Sequence, residues 1–351
     1  MDAVLDRFDS ARREVWRVAA KTSLGRRCAT DRATRLSVLG ITHTLTLLAL
    51  VALAPVWLLL VGPLVLGVPH VMADIRYCFI RPARPIGWLP RVVVALPILG
   101  LMGMRAANLF FGVEIPLWND VAFGSAAIVL ASALGPRSAG ARVGLTLITV
   151  GLGVLALAHA RTTILIFAHA HNVIALGIFA LWARSRGVGS AAFAVVPAFV
   201  IAIGLIAVGA LEPVTAYFGG TQEPVAGLSL AGLAASLAPG VDGALATRIV
   251  LVYAFAQAMH YVLWLRLTPG AVLPGPPSLT YRRTLRGWVE DFGRLPFALA
   301  ALSIIAVPIW AAFAEPMTVR SGYLSLAGFH GWLELAMLAM LGLGRARPAS
   351  N

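Results

Sequence analysis

From Leu36 onward the chain is written in long apolar runs separated by short polar breaks. Runs of roughly 18 to 25 apolar residues have the length at which an α-helix, rising about 1.5 Å per residue, crosses the hydrocarbon of a bilayer. Pro, Gly and Arg breaks predict spans at Leu36–Leu53, Val56–Ile80, Val92–Phe110, Trp118–Leu134 and Val143–Ala158. Five more follow at Ile164–Trp182, Ala191–Leu211, Ile249–Leu267, Leu295–Phe313 and Leu324–Leu343. The expected fold is an all-α polytopic membrane protein with about ten transmembrane helices, one helical domain over 36–344 between a basic N-terminal segment, 1–35, and a tail, 345–351. Two stretches break the alternation. The loop 212–247 carries Val225–Leu237, too short to span and read as a re-entrant or interfacial helix. The loop 268–294 joins a Pro/Gly linker, PGAVLPGPP, to YRRTLRGWVEDFGR, a basic helix with Trp and Phe suited to an anionic membrane surface.

Composition agrees with this pattern. Of 351 residues 59% are hydrophobic and only 12% charged, where soluble domains run to about 25% charged. The net charge of +13 is compatible with nucleic-acid binding, but the arginines punctuate helix ends, so membrane lipids rather than nucleic acid are the expected charged partner. If both termini are cytoplasmic, only Arg105, Arg161, Arg248 and Arg320 of the 28 Lys and Arg residues fall on the outer side. That asymmetry is the positive-inside rule, and it requires an even number of spans. The first 35 residues lack the apolar core and cleavage site of a secretory signal and are read as a retained cytoplasmic segment. Cys28 and Cys78 fall on the same side in no metal-type spacing and are read as structural.

The chemistry lies in polar residues inside the spans. An ionisable group at a helix centre costs about 2.5–3.5 kcal/mol on insertion scales, so such groups are usually functional or paired. Here they recur: His43 in the first span, His70 and Asp74 in GVPHVMADIRY, His169, His171 and Asn172 in AHAHN, Gln257 and His260 in QAMHYVLW, and His330 and Glu334 in FHGWLE. Counted from the cytoplasmic helix ends, His43, His70, His171, His260 and His330 lie roughly 10–20 Å into a core about 30 Å thick. Five histidines at one depth predict one shared site. His70 with Asp74 and His330 with Glu334 are i, i+4 pairs on one helix face, placing each carboxylate to orient its histidine or to act directly. His169 and His171 point about 200° apart, so both reach one centre only on a distorted helix. His159, at a helix end beside Arg161, is expected to stand apart.

Several imidazoles with carboxylates and no thiolate suit Fe(II), Zn(II) or Cu better than Mg or Ca. Apolar walls imply a lipophilic substrate entering from the bilayer, and such molecules are transformed chiefly by oxidation, which favours iron. The segment GVPHVMAD resembles the Gly-x-Pro-His-x-x-x-Asp motif of the Brp/Blh family, membrane-embedded bacterial and archaeal dioxygenases that cleave β-carotene to retinal. The lone His43 on the preceding helix is similar to that family's first histidine helix. The resemblance implies a bacterial-type inner (cytoplasmic) membrane and a non-haem iron with His43, His70, His171 and His260 as ligands and Asp74 as an orienting residue. The chain departs from the family where Val71 follows His70 and where the later histidines are dispersed over AHAHN, QAMHY and FHGWLE. The expected activity is a metal-dependent membrane oxygenase acting on a lipophilic polyene or isoprenoid. Three other readings use the same residues: a di-metal desaturase or hydroxylase, although no HxxxH or HxxHH box occurs; a b-haem electron carrier with axial histidines; and a proton-coupled transporter using the His/carboxylate pairs as a relay.

Overall fold

The computed structural model describes residues 2–82, 86–135, 137–219, 223, 228–272 and 280–341, and among these there is no β-strand. The chain is an all-α polytopic membrane protein. On its N-terminal face, α1 (Asp2–Ala19) and α2 (Ser23–Thr30) precede α3 (Arg32–Leu53). There follow α4 (Pro55–Ile80), α5 (Trp88–Phe111), α6 (Trp118–Leu134), α7 (Ala139–Ala158), α8 (Ala160–Ser185) and α9 (Gly189–Ala207). After the short α10 (Leu230–Leu237) come α11 (Gly243–Ala271), α12 (Tyr281–Phe292), α13 (Arg294–Phe313) and α14 (Pro316–Leu341). Nine of these helices, among the described residues, are long and apolar enough to cross a membrane. The predicted fourth span, α6, has 17 residues, about 25 Å at helical rise.

Nine long apolar helices and the shorter α6 stand where ten spans are expected, and they differ at their ends for local reasons. Most of the polar first 35 residues are helical, and α3 starts inside them because Asp31 caps it, accepting from the backbone N–H groups of Ala33 and Thr34 at 3.2 and 2.8 Å. The seventh span stops at Ala207, short of Leu211, where Gly209 takes the left-handed φ of 82° that ends a helix. The last begins at Pro316, earlier than Leu324, because Glu315 accepts from the Thr318 N–H and starts the helix there. It is interrupted at Gly328. Of the predicted helix Val225–Leu237, the part from Leu230 forms α10, capped by Ser229, and 224–227 lie outside the described residues. So do linker residues 273–279, Leu343 and the tail 345–351.

The spans alternate between the N-terminal face, where Arg32 donates to the Ala271 carbonyl and Arg137 to the Ala339 carbonyl, and the opposite, far face, where Arg248 meets Glu212. A single residue, His159, joins α7 to α8 at the far face and is exposed there. On the N-terminal face, Asp291 of α12 receives Arg76 and Arg81 from the end of α4, each at 2.6 Å, and the Arg76 guanidinium lies 4.9 Å from the Trp288 ring centre. The other side of α12 holds α1, where Asp9 accepts from the Tyr281 backbone N–H at 2.6 Å. The basic, amphipathic α12 thus clamps the N-terminal helix to the helix carrying His70. Cys28 and Cys78 are buried free thiols.

Side chains such as Phe313, Phe193, Leu147 and Leu295 are largely exposed on the flanks of the spans. A water-soluble protein rarely leaves so much apolar surface open, whereas lipid requires it. At the centre stands α11, packed against α3, α8, α9 and α10 and buried along most of its length.

Candidate metal centre

Two central helices depart from regular α geometry beside the histidines. The α-helical segment Gly67–Asp74 in α4 lies between π-helical turns Gly62–Leu66 and Ile75–Ile80, and another, Leu263–Leu267, follows His260 in α11. Such wide turns are rare and gather at functional sites. One has a visible cause. Pro63 has no N–H to give the Leu59 carbonyl four residues back, and the buried Arg320 of α14 donates its Nε–H to that carbonyl instead, at 2.7 Å. Beside it the Tyr323 ring rests on Gly67, where a Cβ would come within 2.3 Å of the ring. Glycine and proline therefore bring α14 against α4 at the level of His70.

Four helices each contribute one imidazole to a single cluster. The ring centres lie 4.8 Å apart for His70–His330, 5.3 Å for His70–His260, His171–His260 and His171–His330, and 5.7 Å for His260–His330. Imidazoles sharing one metal at about 2.1 Å have ring centres about 4.5 Å apart at right angles and about 5.2 Å apart at tetrahedral angles. The observed separations fall around these values. Nε2 of His70 stands 3.4 Å from Nε2 of His330. Nε2 of His260 stands 3.5 Å from Oε1 of Glu334, and Nε2 of His70 stands 3.9 Å from Oδ2 of Asp74. One donor atom from each of His70, Asp74, His260 and His330 lies within 4.8 Å of all the others.

Hydrogen bonds leave this set open toward its centre. Nδ1 of His171 lies 3.1 Å from the Phe167 carbonyl and Nδ1 of His330 lies 2.5 Å from the Ala327 carbonyl, each one turn back on its own chain. A donating Nδ1–H in both fixes the tautomer whose Nε2 lone pair is free for a metal. Glu334 is aimed by Trp264, whose Nε1–H donates to Oε1 at 2.7 Å. Against these, His70 Nδ1, both His260 nitrogens, both Asp74 oxygens and Glu334 Oε2 are buried without a hydrogen-bond partner. Each such group costs about 1–3 kcal/mol, more when charged. A divalent cation would engage one nitrogen of His260 and oxygens of Asp74 and Glu334 and offset the two carboxylates at once, so the donor set fits a first-row transition metal.

The centre opens into a cavity of about 240 Å³, walled by Phe167, Trp332, Tyr253, Tyr261 and Tyr323 and reached by the polar Asn172 and Gln257. The Tyr261 ring centre is 4.7 Å from that of His70.

Of the residues expected at the site, His70, His171, His260, His330, Asp74 and Glu334 come together, and two do not. His43 donates from Nδ1 to its own helix, to the Leu39 carbonyl at 2.7 Å. The adjacent Thr44, about 100° around the helix, is the buried residue of α3 that meets Met259 of α11. His43 is thereby turned out of the bundle centre. His169 turns away because α8 is a regular helix throughout: it meets the Leu237 carbonyl of α10 at 2.9 Å and the Tyr253 ring edge-on, while His171 faces the cavity. The carboxylate pairing also differs. Glu334 lies against His260 and Trp264 of the neighbouring helix rather than serving His330, and the 3.9 Å between Asp74 and His70 is too long for a hydrogen bond. Residues not singled out from the sequence are Trp264, Arg105, Asp120 and the three tyrosines. The one signal was Arg105, an arginine well inside an apolar run. Comparison of the chain with protein-family models, with curated proteins and with solved structures gives no match.

Proposed function

We propose that this protein is a membrane-embedded oxygenase whose non-haem Fe(II) is held by His70, His171, His260 and His330 and whose substrate is a lipophilic polyene or isoprenoid taken from the bilayer. The observation that carries the reading is the convergence of four imidazoles from four helices with two buried carboxylates, several of whose donor atoms, on His260, Asp74 and Glu334, are buried without a partner. Bound there, iron supplies the one-electron chemistry through which O₂ reacts with an unsaturated hydrocarbon. Asp74 and Glu334 balance the charge of the dication and offer carboxyl oxygens at which a proton is held, Glu334 in the orientation set by Trp264. Phe167 and Trp332, stacked at 4.2 Å, and Tyr261 form an aromatic wall that keeps water out and lies along an unsaturated chain. A cavity of about 240 Å³ takes a short isoprenoid or one segment of a long polyene. The likeness of Gly67–Asp74 to the Brp/Blh motif points the same way. Lysine and arginine placement supports cytoplasmic termini in a bacterial-type inner membrane.

A bis-histidine haem would hold its two ring centres about 6.4 Å apart with the macrocycle between them. The closer spacing of the measured pairs favours a bare ion. Metal analysis of the purified protein tests the reading: about one iron per chain is expected, lost in His70→Ala and His260→Ala. In cells that accumulate β-carotene or another coloured polyene, the intact protein and not His70→Ala should bleach the pigment. Absence of stoichiometric iron, copper, zinc and manganese, with activity retained in both variants, would sink the proposal. Two metals per chain would assign the same donors to a desaturase or hydroxylase, a Soret band to a haem carrier, and proton-driven uptake into proteoliposomes to a transporter.

A further inference from the structure

The cavity has a second polar end. Besides the histidines it is lined by Arg105 of α5 and Asp120 of α6, which form an ion pair with each other. The chain's alternation puts this pair toward the far face: α5 ends there at Phe111, α6 begins there at Trp118, and α8 begins there at Ala160. On α8 the cavity is lined from Ile164 to His171, seven residues or roughly 10 Å of helix. The ion pair and the metal centre therefore stand at different depths of one largely aromatic chamber.

The pair is not saturated. Asp120 is 5% exposed, and its Oδ1 is buried with no hydrogen-bond partner. The Arg105 side chain is 29% exposed, and a guanidinium carries five N–H donors, more than one carboxylate engages. The two residues together offer one vacant acceptor and spare donors. A hydroxyl group answers both, donating to Asp120 Oδ1 and accepting from Arg105. A carboxylate accepts only and is repelled by Asp120, an aldehyde or ether accepts only, and a hydrocarbon leaves the acceptor unsatisfied.

We infer that Arg105 and Asp120 form the headgroup subsite of the cavity, binding the terminal hydroxyl of an isoprenoid or other lipophilic alcohol whose chain runs on to the histidine centre. This rests on the proposed function for what happens at the chain, but the binding preference stands without it. The subsite acts as a ruler: with the hydroxyl held, the carbon presented to the histidines is set by its distance along the chain.

The test is equilibrium binding of tritiated farnesol to the full-length protein in nanodiscs, with farnesyl methyl ether and farnesoic acid as competitors, in the purified protein and after chelation. Hydrogen bonds to charged groups predict that farnesol binds tighter than its ether by on the order of tenfold to a hundredfold, and the acid should compete no better than the ether. In Arg105→Met/Asp120→Leu, an apolar replacement of the whole pair, the preference should fall to about unity with the metal content unchanged. Equal binding of the three ligands, saturable binding of none, or a preference that survives in the folded double variant overturns the subsite. The ligand series on the unaltered protein keeps the test decisive if that variant does not fold. Farnesol preference in a protein without metal would defeat the oxygenase reading alone, and stoichiometric metal without the preference would defeat the subsite alone.

Discussion

The inner and outer helices of this bundle obey opposite rules. Helices α11 and α14 are the least apolar of the nine long spans and the most buried; α7 and α13 are strongly apolar and the least buried. In water the apolar side chains would face inward. Lipid tails are as apolar as leucine, so no hydrophobic force gathers the spans, and polar groups are what must leave the surface. The interior accordingly holds His70, Asp74, His260 and Glu334, each no more than 2% exposed, while Leu147 and Phe313 are 67% and 88% exposed. An outer span needs only to be apolar. An inner span must also place its polar atoms.

Substitutions can break or sharpen this contrast. The largest effect is expected from His260→Ala, which removes a ring that meets three others: metal content should drop at least on the order of 100-fold, the upper end of what lesser, orienting contacts cost. Leu147→Ala on the lipid face should leave metal content alone and shift stability by less than about 0.5 kcal/mol; equal losses from both would erase the distinction. A smaller effect is expected for Trp264→Phe, which keeps an aromatic ring there but removes the N–H that holds Glu334, with metal affinity falling about 10- to 100-fold in a competition titration. An unchanged affinity would show that Glu334 needs no orienting partner.

Next comes a packing change. Gly124 of α6 lies under Trp332 of α14, and a Cβ there would come within 2.1 Å of the indole. Gly124→Val should destabilise the bundle by about 1–3 kcal/mol, read by thermal unfolding in detergent, whereas Gly144→Val on lipid-facing α7, with nothing within 4 Å, should not. The smallest effect belongs to the surface. Asp31→Ala removes the α3 cap and should cost about 1 kcal/mol. The Thr34 hydroxyl, and then the backbone N–H groups of Thr34 and Ala33, hold the Asp31 carboxyl below its ordinary range. The cap's ionic contribution is therefore complete above about pH 4 and is lost as pH falls through the lowered native value. Denaturation of wild type and Asp31→Ala between pH 3 and 6 should converge at the acid end, and parallel curves would argue against the cap.

Much of this was legible in the chain itself. Apolar run lengths alone determine that helices such as Ala139–Ala158 and Arg294–Phe313 span a membrane, because backbone groups in lipid must be satisfied within each segment. Helical rise brought His70, His171, His260 and His330 to one depth before any contact was known. Rotation about the helix axis is what the sequence left open. His43 shared that depth and yet faces its own backbone, because Thr44 and Gly40, not His43, are the positions at which α3 meets its neighbours. Of His169 and His171, about 200° apart, only packing against α10 and α14 chose which would face the cavity. Glu334 sits one turn from His330 in sequence, but the crossing of α11 and α14 gave it to His260 and Trp264. Depth follows from counting residues along one helix, whereas facing depends on how side chains of different helices fit, and only the tertiary structure decides that.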